Sequence, residues 1–400
     1  MKAIFLLPQI VFSPRGGWVG GYTNSVINLA AEMQHDCDIT LIAGVARWDT
    51  SGIENLKEHL PKVDCRFFRM RSKPTSLQYF IEFCLRSFGL SMLMRLQKVQ
   101  VDVVYGHSGF PGYALASWLC SVSFGSIVAH CLYCPHSDRF QHQKAGKLYR
   151  WIVRKSLRRV PNIVAISDNV GSSFLSGNLR GFESYSVIPP AIPNSLFEEP
   201  LNSGVTLREG EIEKKKTVIG FVGHHKKEKG LDLAIESVAM LKEKHNLTLK
   251  ILLSGGESQE RGSELVQQMA EQSGLTDQLS ILNSVKNIRD FMSGIDFLSV
   301  PFRGTQGPSD YPMVLLEAMA LGRIVVATSV GAVPEVVRHN ETGFLASTPD
   351  ASLIADSLHD ALETDSHQRN KIAESARSAM QVFRARNVAD ETLKLLERIT

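Results

Sequence analysis

The stretch Ser309-Asp310-Tyr311-Pro312-Met313-Val314-Leu315-Leu316-Glu317-Ala318-Met319-Ala320-Leu321-Gly322 decides how the second half of this chain is read. Asp310 is a good N-cap, and Pro312 suits the first turn of a helix. Strong helix formers run from Met313 to Leu321, and Gly322 supplies the stop. The apolar run Ile324-Val325-Val326-Ala327 follows and reads as a buried strand. One acid, Glu317, stands in the middle of the apolar helix, where a carboxylate is costly unless something hydrogen-bonds to it. The helix N-terminus, preceded by Gly304 and Gly307, offers open backbone amides to an anion. A phosphate at the helix tip and a diol at Glu317 together describe a nucleotide.

The same alternation of apolar strand-like runs with helical patterns extends over the whole chain, which implies α/β architecture with doubly wound parallel sheets. Strands are expected at 3–7, 39–43, 101–105, 126–132, 163–166 and 185–188, then at 218–222, 249–254, 279–282, 297–300 and 324–327. Four hundred residues exceed one ordinary core and suit two domains. Their expected bounds are 1–195 and 217–386, with 196–216 as a linker or surface loop and a terminal helix at 387–400. Ligands of open α/β sheets bind at the carboxyl ends of the strands, and most of the polar candidates fall just after predicted strands.

Bulk composition excludes several classes. Hydrophobic content of 44% with 21% charged residues is that of a soluble globular protein, and a net charge of +3 does not imply nucleic acid. Six scattered cysteines suit a reducing compartment, not a disulfide framework. Met1 to Leu7 reads as a first strand, not a signal peptide, because Pro8 interrupts the apolar run. Residues 103–137 contain no Lys, Arg, Asp or Glu, but glycines and Pro111 cut them into pieces too short to span a bilayer. Cytoplasmic localisation is expected. The run Lys147 to Arg159 is a basic amphipathic helix, and Arg66, Arg69, Arg71 and Lys73 form a second basic cluster. One reading is a solvated face; the other is peripheral contact with an anionic membrane at its inner face.

Gly16-Gly17-Trp18-Val19-Gly20-Gly21 follows the first strand and precedes a helix from Tyr22 to Met33. Such a turn lets backbone amides approach a phosphate, or is simply tight. It is neither a dinucleotide fingerprint nor a P-loop. Cys131, Cys134 and the flanking His130 and His136 look like a metal or redox cluster, but on and just beyond one strand they alternate sides instead of converging. Asp36-Cys37-Asp38 reads as a surface turn. No metal site and no cofactor is expected.

The motifs Phe221-Val222-Gly223, Glu228-Lys229-Gly230-Leu231-Asp232, the Glu317 helix, Pro334-Glu335-Val336-Val337 and Glu341-Thr342-Gly343-Phe344 occur in order from Val218 to Thr348. Over this stretch the chain resembles retaining nucleotide-sugar glycosyltransferases of family 4. The resemblance implies a GT-B fold, two Rossmann-like domains facing each other across a cleft, with the last helix returning to the first domain. It also implies a nucleotide-diphosphate sugar as donor, a glycan or lipid-linked acceptor, and no catalytic metal. Lys229 would stabilise charge on the leaving phosphate, and Glu317 would take the ribose hydroxyls. The donor-binding set is completed by Gly16, Gly17, His224, Ser309, Asp310, Tyr311, Met313 and Val314. His130 would face the transferred sugar, with His136 as its rival; His107 and His136 are the acceptor-side candidates. Two positions depart from the family. Ser309, with Asp310 beside it, stands where a Glu is usual eight residues before Glu317, and His224 stands where an Arg is usual. Asp310 is therefore open to two readings, a cap or an acid facing the donor sugar. The departures keep two alternatives in view, a non-catalytic nucleotide-sugar-binding partner protein and a nucleotide-sugar epimerase.

Overall fold

The computed structural model describes the chain except for residues 13–17, 46–48, 73–75, 136–145, 177–183, 199–215, 226, 254–258, 284, 286 and 305–308. It contains two compact units. The first comprises Met1–Ile192, Gln306–Asp310 and Phe383–Thr400; the second comprises Pro193–Thr305 and Tyr311–Val382.

The strands of the first unit are β1 (Lys2–Phe12), β2 (Trp18–Val19), β3 (Asp38–Val45), β4 (Asp64–Arg69), β5 (Val103–Ser108), β6 (Ile127–Leu132), β7 (Asn162–Ala165) and β8 (Ser186–Val187). Seven form a parallel sheet in the order β4-β3-β1-β5-β6-β7-β8, and β2 pairs antiparallel with the end of β1. β1, β5 and β6 are almost continuously buried, as expected where helices cover both faces of a parallel sheet. One face packs Ile4, Leu6, Ile42 and Val104 against Tyr79, Phe83 and Met94 of helix Leu77–Leu96 and against Ala116 and Cys120 of helix Ala114–Phe124. The terminal helix Ala385–Ile399 belongs to this unit. It lies on helix Gly21–Met33, where Arg386 pairs with Asp36 at 3.0 Å.

The second unit contains β9 (Thr217–Gly223), β10 (Leu247–Leu253), β11 (Leu279–Leu282), β12 (Phe297–Val300), β13 (Ile324–Thr328) and β14 (Phe344–Ala346). The order β11-β10-β9-β12-β13-β14 is all parallel. From β9 the chain builds outward to β10 and β11, then crosses to β12 on the opposite side of β9. The strand order therefore reverses between β9 and β12, and a crevice opens outside their carboxyl ends.

The expected strands are present within a few residues, but three were missed. β2 reverses the chain where a direct strand-to-helix turn was expected. β4 is an edge strand whose Arg66 and Arg69 mask its pattern, and β14 has three residues.

Gly230 lets the loop after β9 pass against the loop after β12. Its φ of +67° is left-handed, and a Cβ there would overlap the Pro301 carbonyl. Gly230→Ala is expected to destabilise the protein by roughly 1–3 kcal/mol, read as a lower denaturant midpoint.

Candidate functional site

The reversal between β9 and β12 gathers Lys229, Phe302 and Arg303. Lys227–Lys229 form a single 3₁₀ turn after β9. The Arg303 amide donates to the Glu228 carbonyl at 3.0 Å, and its guanidinium donates to the Lys227 carbonyl at 3.1 Å. The guanidinium also grips Asp232 with two bonds, 2.5 and 2.7 Å. Burial alone would raise the Asp232 carboxyl; Arg303, joined by the Leu233 and Asp232 amides, outweighs it and holds the group below its ordinary value. From β13, the Thr328 hydroxyl donates to the Phe302 carbonyl at 2.6 Å. Three strand ends are thus stitched together, and the Lys229 ammonium rests 3.9 Å above the Phe302 ring. Burial pushes that ammonium down to about 8, against the opposing pull of Glu228. His224, half-buried, directly follows β9.

Helix Met313–Ala320 follows β12. Its end is as read from the sequence: Gly322 is left-handed at φ +77°, and Arg323 donates to the Ala318 carbonyl at 2.8 Å. Its start is not. Pro312 is the N-cap, with no side-chain capping bond. A proline restricts the residue before it to extended backbone, so Asp310, two positions earlier, is carried away from the helix amides. The Asp310 Oδ2 instead accepts from Ser167 Oγ at 3.0 Å and Asn169 Nδ2 at 2.9 Å, and its amide donates to the Tyr133 carbonyl at 2.7 Å. The capping reading of Asp310 is therefore corrected, and its carboxylate is held inside the first unit. Tyr311 is buried and donates its hydroxyl to Glu335 at 2.8 Å. Ser309 Oγ is buried without a partner among the described residues.

The amides of Met313 and Val314 have no acceptor among the described residues. The Glu317 carboxylate likewise has no hydrogen-bond or ion-pair partner among them. Burial alone raises it from 4.5 to about 7. A raised acid binds its proton more tightly in the folded chain, so ionising it opposes folding as pH climbs from 4.5 through about 7. Glu317→Gln removes that opposition. The ligand-free variant is expected to melt above the parent at pH 8, by roughly 2–4 °C for each kcal/mol relieved, and the gap should close in acid. An unchanged melting temperature at pH 8 would show that the acid is not strained.

In the first unit, His130 is placed differently from the expectation that it faces a sugar. It is buried, with Nε2 2.9 Å from Ser108 Oγ and Nδ1 2.8 Å from Ser117 Oγ. Gly106 makes room for this, since a Cβ there would overlap Ser117 Oγ and His130 Nδ1. With both ring nitrogens engaged, His130 is a structural histidine; burial lowers it to about 3. His107 lies on the opposite face of the sheet against Phe5, Tyr105 and Tyr133. It is fully buried, and neither ring nitrogen has a hydrogen-bond partner among the described residues. Burial, then His130, lowers it to about 3. Gly16, Gly17 and His136 lie outside the described residues. Elsewhere, His245, His359 and Glu363 bring donor atoms within 4.8 Å, but a 3.2 Å bond between the two imidazoles already pairs them. His130→Ala should cost roughly 2–4 kcal/mol of stability and leave ligand affinity of the folded protein unchanged. A loss of affinity at full stability would restore a role in the site.

The family model for Glycosyltransferase Family 4 matches residues 19–195, and that for Glycosyl transferases group 1 matches residues 206–379. This chain belongs to the family 4 glycosyltransferases, and its fold is GT-B. A D-inositol 3-phosphate glycosyltransferase of Corynebacterium jeikeium is 31% identical over 53% of this chain and 51% of its own length, so the chain spans about half of that curated relative. One from Corynebacterium glutamicum is 27% identical over 92% of this chain and 90% of its own length. Among solved structures, Anabaena HepE in complex with UDP superposes with a TM-score of 0.74 at 18% identity, over 100% of both chains. It is also solved with UDP-glucose. Within the family frame, Arg303 is the residue that sequence reasoning missed. Its only signal was a cation just after an apolar strand.

Proposed function

We propose that this GT-B chain transfers a sugar, with retention of configuration, from a nucleoside-diphosphate sugar to a glycan or lipid-linked acceptor, in polysaccharide or glycolipid synthesis. The carrying observation is the Glu317 carboxylate, without a partner among the described residues, on a helix whose first amides have no acceptor among them. The ionised acid has acceptor oxygens for both ribose hydroxyls, and the Met313 and Val314 amides suit the pyrophosphate. As the bond from sugar to phosphate breaks, negative charge grows on the β-phosphate, where the Lys229 ammonium stabilises it more than the ground state. The acceptor oxygen bonds to the anomeric carbon from the face the phosphate leaves, through an oxocarbenium-like state, and its proton passes to the departing phosphate. No metal is assigned to these steps. The UDP and UDP-glucose bound by HepE make uridine donors the first to test.

Incubation with a panel of nucleotide sugars should release nucleoside diphosphate. Lys229→Met is expected to slow release by about 10²–10³. Glu317→Gln is expected to weaken donor binding by roughly tenfold or more, the worth of hydrogen bonds to a charged group. Binding that ignores both substitutions would refute the site. The second reading, donor binding without transfer, draws on Ser309 and on the engaged Asp310 carboxylate. Tight binding with no turnover on any acceptor extract would favour it, and an isomerised sugar would favour an epimerase.

The two shifted groups set a pH profile. Glu317 offers a charged acceptor to both ribose hydroxyls only when ionised, above about 7, and Lys229 is charged only below about 8. kcat/KM, which reports the free enzyme, should rise through the first value and fall through the second. Glu317→Gln should remove the acid limb and leave the alkaline one.

A further inference from the structure

Helix Leu77–Leu96 buries one side, through Tyr79, Phe83, Ser87, Ser91 and Met94, and its other side is largely apolar, with Gln78, Glu82, Arg86 and Arg95 among the apolar residues. Leu77, Ile81, Leu85, Met92, Leu93 and Leu96 are all exposed, Leu85 by 66%, Leu93 by 58% and Leu96 by 76%. They follow steps of three and four residues, with Gly89 filling the gap, so they form one stripe along the helix. A soluble helix apolar on its outward side is anomalous and marks a contact surface. This helix packs beside helix Ala114–Phe124, which exposes Val122 and in turn packs beside helix Gly146–Leu157. The latter exposes Leu148 and Trp151, the tryptophan by 59%, among Lys147, Arg154 and Lys155, with Arg158 and Arg159 just beyond.

Charge selects the occupant. From 77 to 159 the sequence holds eleven basic and three acidic residues, while the whole chain is only +3. A second copy docked face to face would oppose like charges. No helix among the described residues is long and apolar enough to cross a membrane. An apolar stripe beside an exposed aromatic and a dense basic edge suits the interface of an anionic bilayer. We propose that these three helices of the first unit dock on anionic lipid, with the 77–96 stripe entering the interface and the basic edge of 146–157 facing the headgroups. Docking stands on the first unit alone. Its consequence, that the acceptor is met at the lipid surface, rests on the transfer reading above.

The test is flotation of the full chain with phosphatidylcholine vesicles, with and without about 30% phosphatidylglycerol. Binding is expected only with the anionic lipid and should weaken as salt rises from about 0.05 to about 0.5 M. Leu85→Ser with Leu93→Ser, both exposed and so tolerated by the fold, should cut the bound fraction about tenfold or more. Arg154→Gln with Lys155→Gln and Arg158→Gln should do so without touching the stripe. Melting temperature and donor affinity should be unchanged in both. Equal binding by parent and variants, or no binding to anionic vesicles, would overturn the proposal. So would a lipid-free dimer that the serine variant dissociates. Vesicle binding without any nucleotide-sugar turnover would leave docking in place and count against transfer alone.

Discussion

The second unit turns on how closely the chain after β9 passes the chain after β12. At Gly230 the two backbones leave no room for a side chain, and the neighbouring Lys229 ammonium lies over Phe302. Arg303 then closes the gap with a planar fork of N–H donors that a lysine could not reproduce, holding Asp232 with two bonds while also reaching the Lys227 carbonyl. The Arg303–Asp232 pair is half-exposed, and such pairs contribute little to stability by themselves. Its value lies in fixing where two loops stand, so that an ammonium is held at the strand reversal with its hydration already reduced.

What the sequence disclosed here was local. An apolar helix with one acid, a glycine stop and an apolar strand are short-range patterns, and each appears where it was read. Arg303 and Asp232 are 71 residues apart in sequence and meet only because β9 and β12 are neighbours; no periodicity could announce that. Asp310 was misread for a related reason. Capping preference is a statistical property of side chains, whereas Pro312 imposes a backbone restriction one residue upstream, and the restriction prevails. β4 escaped because an edge strand tolerates arginines that a central strand would not.

The histidines show a second limit. His107 and His130 both stand near the ends of central strands, and in sequence they are equivalent candidates. Adjacent residues on a pleated strand point to opposite faces, and β5 and β6 pair His107 with Cys131 and Gly106 with His130. His130 therefore faces Ser108, Ser117 and the space left by Gly106, while His107 faces aromatic rings with nothing to accept from or donate to its nitrogens among the described residues. Only pairing register separates a satisfied imidazole from an unsatisfied one.

Burial moves Glu317 and Lys229 of the second unit toward one another, the acid up to about 7 and the amine down to about 8. Both shifts have the same cause, loss of water around a charge, and both make the ligand-free protein hold its groups at a disadvantage. A diol and a diphosphate are the partners that would reverse each shift, the diol by hydrogen-bonding the carboxylate and the diphosphate by opposing the ammonium. Sites arranged in this way bind tightly only what supplies both at once, because a lone phosphate leaves the acid strained and a lone sugar leaves the amine so. That reciprocity argues for a nucleotide-linked ligand more strongly than either residue does separately.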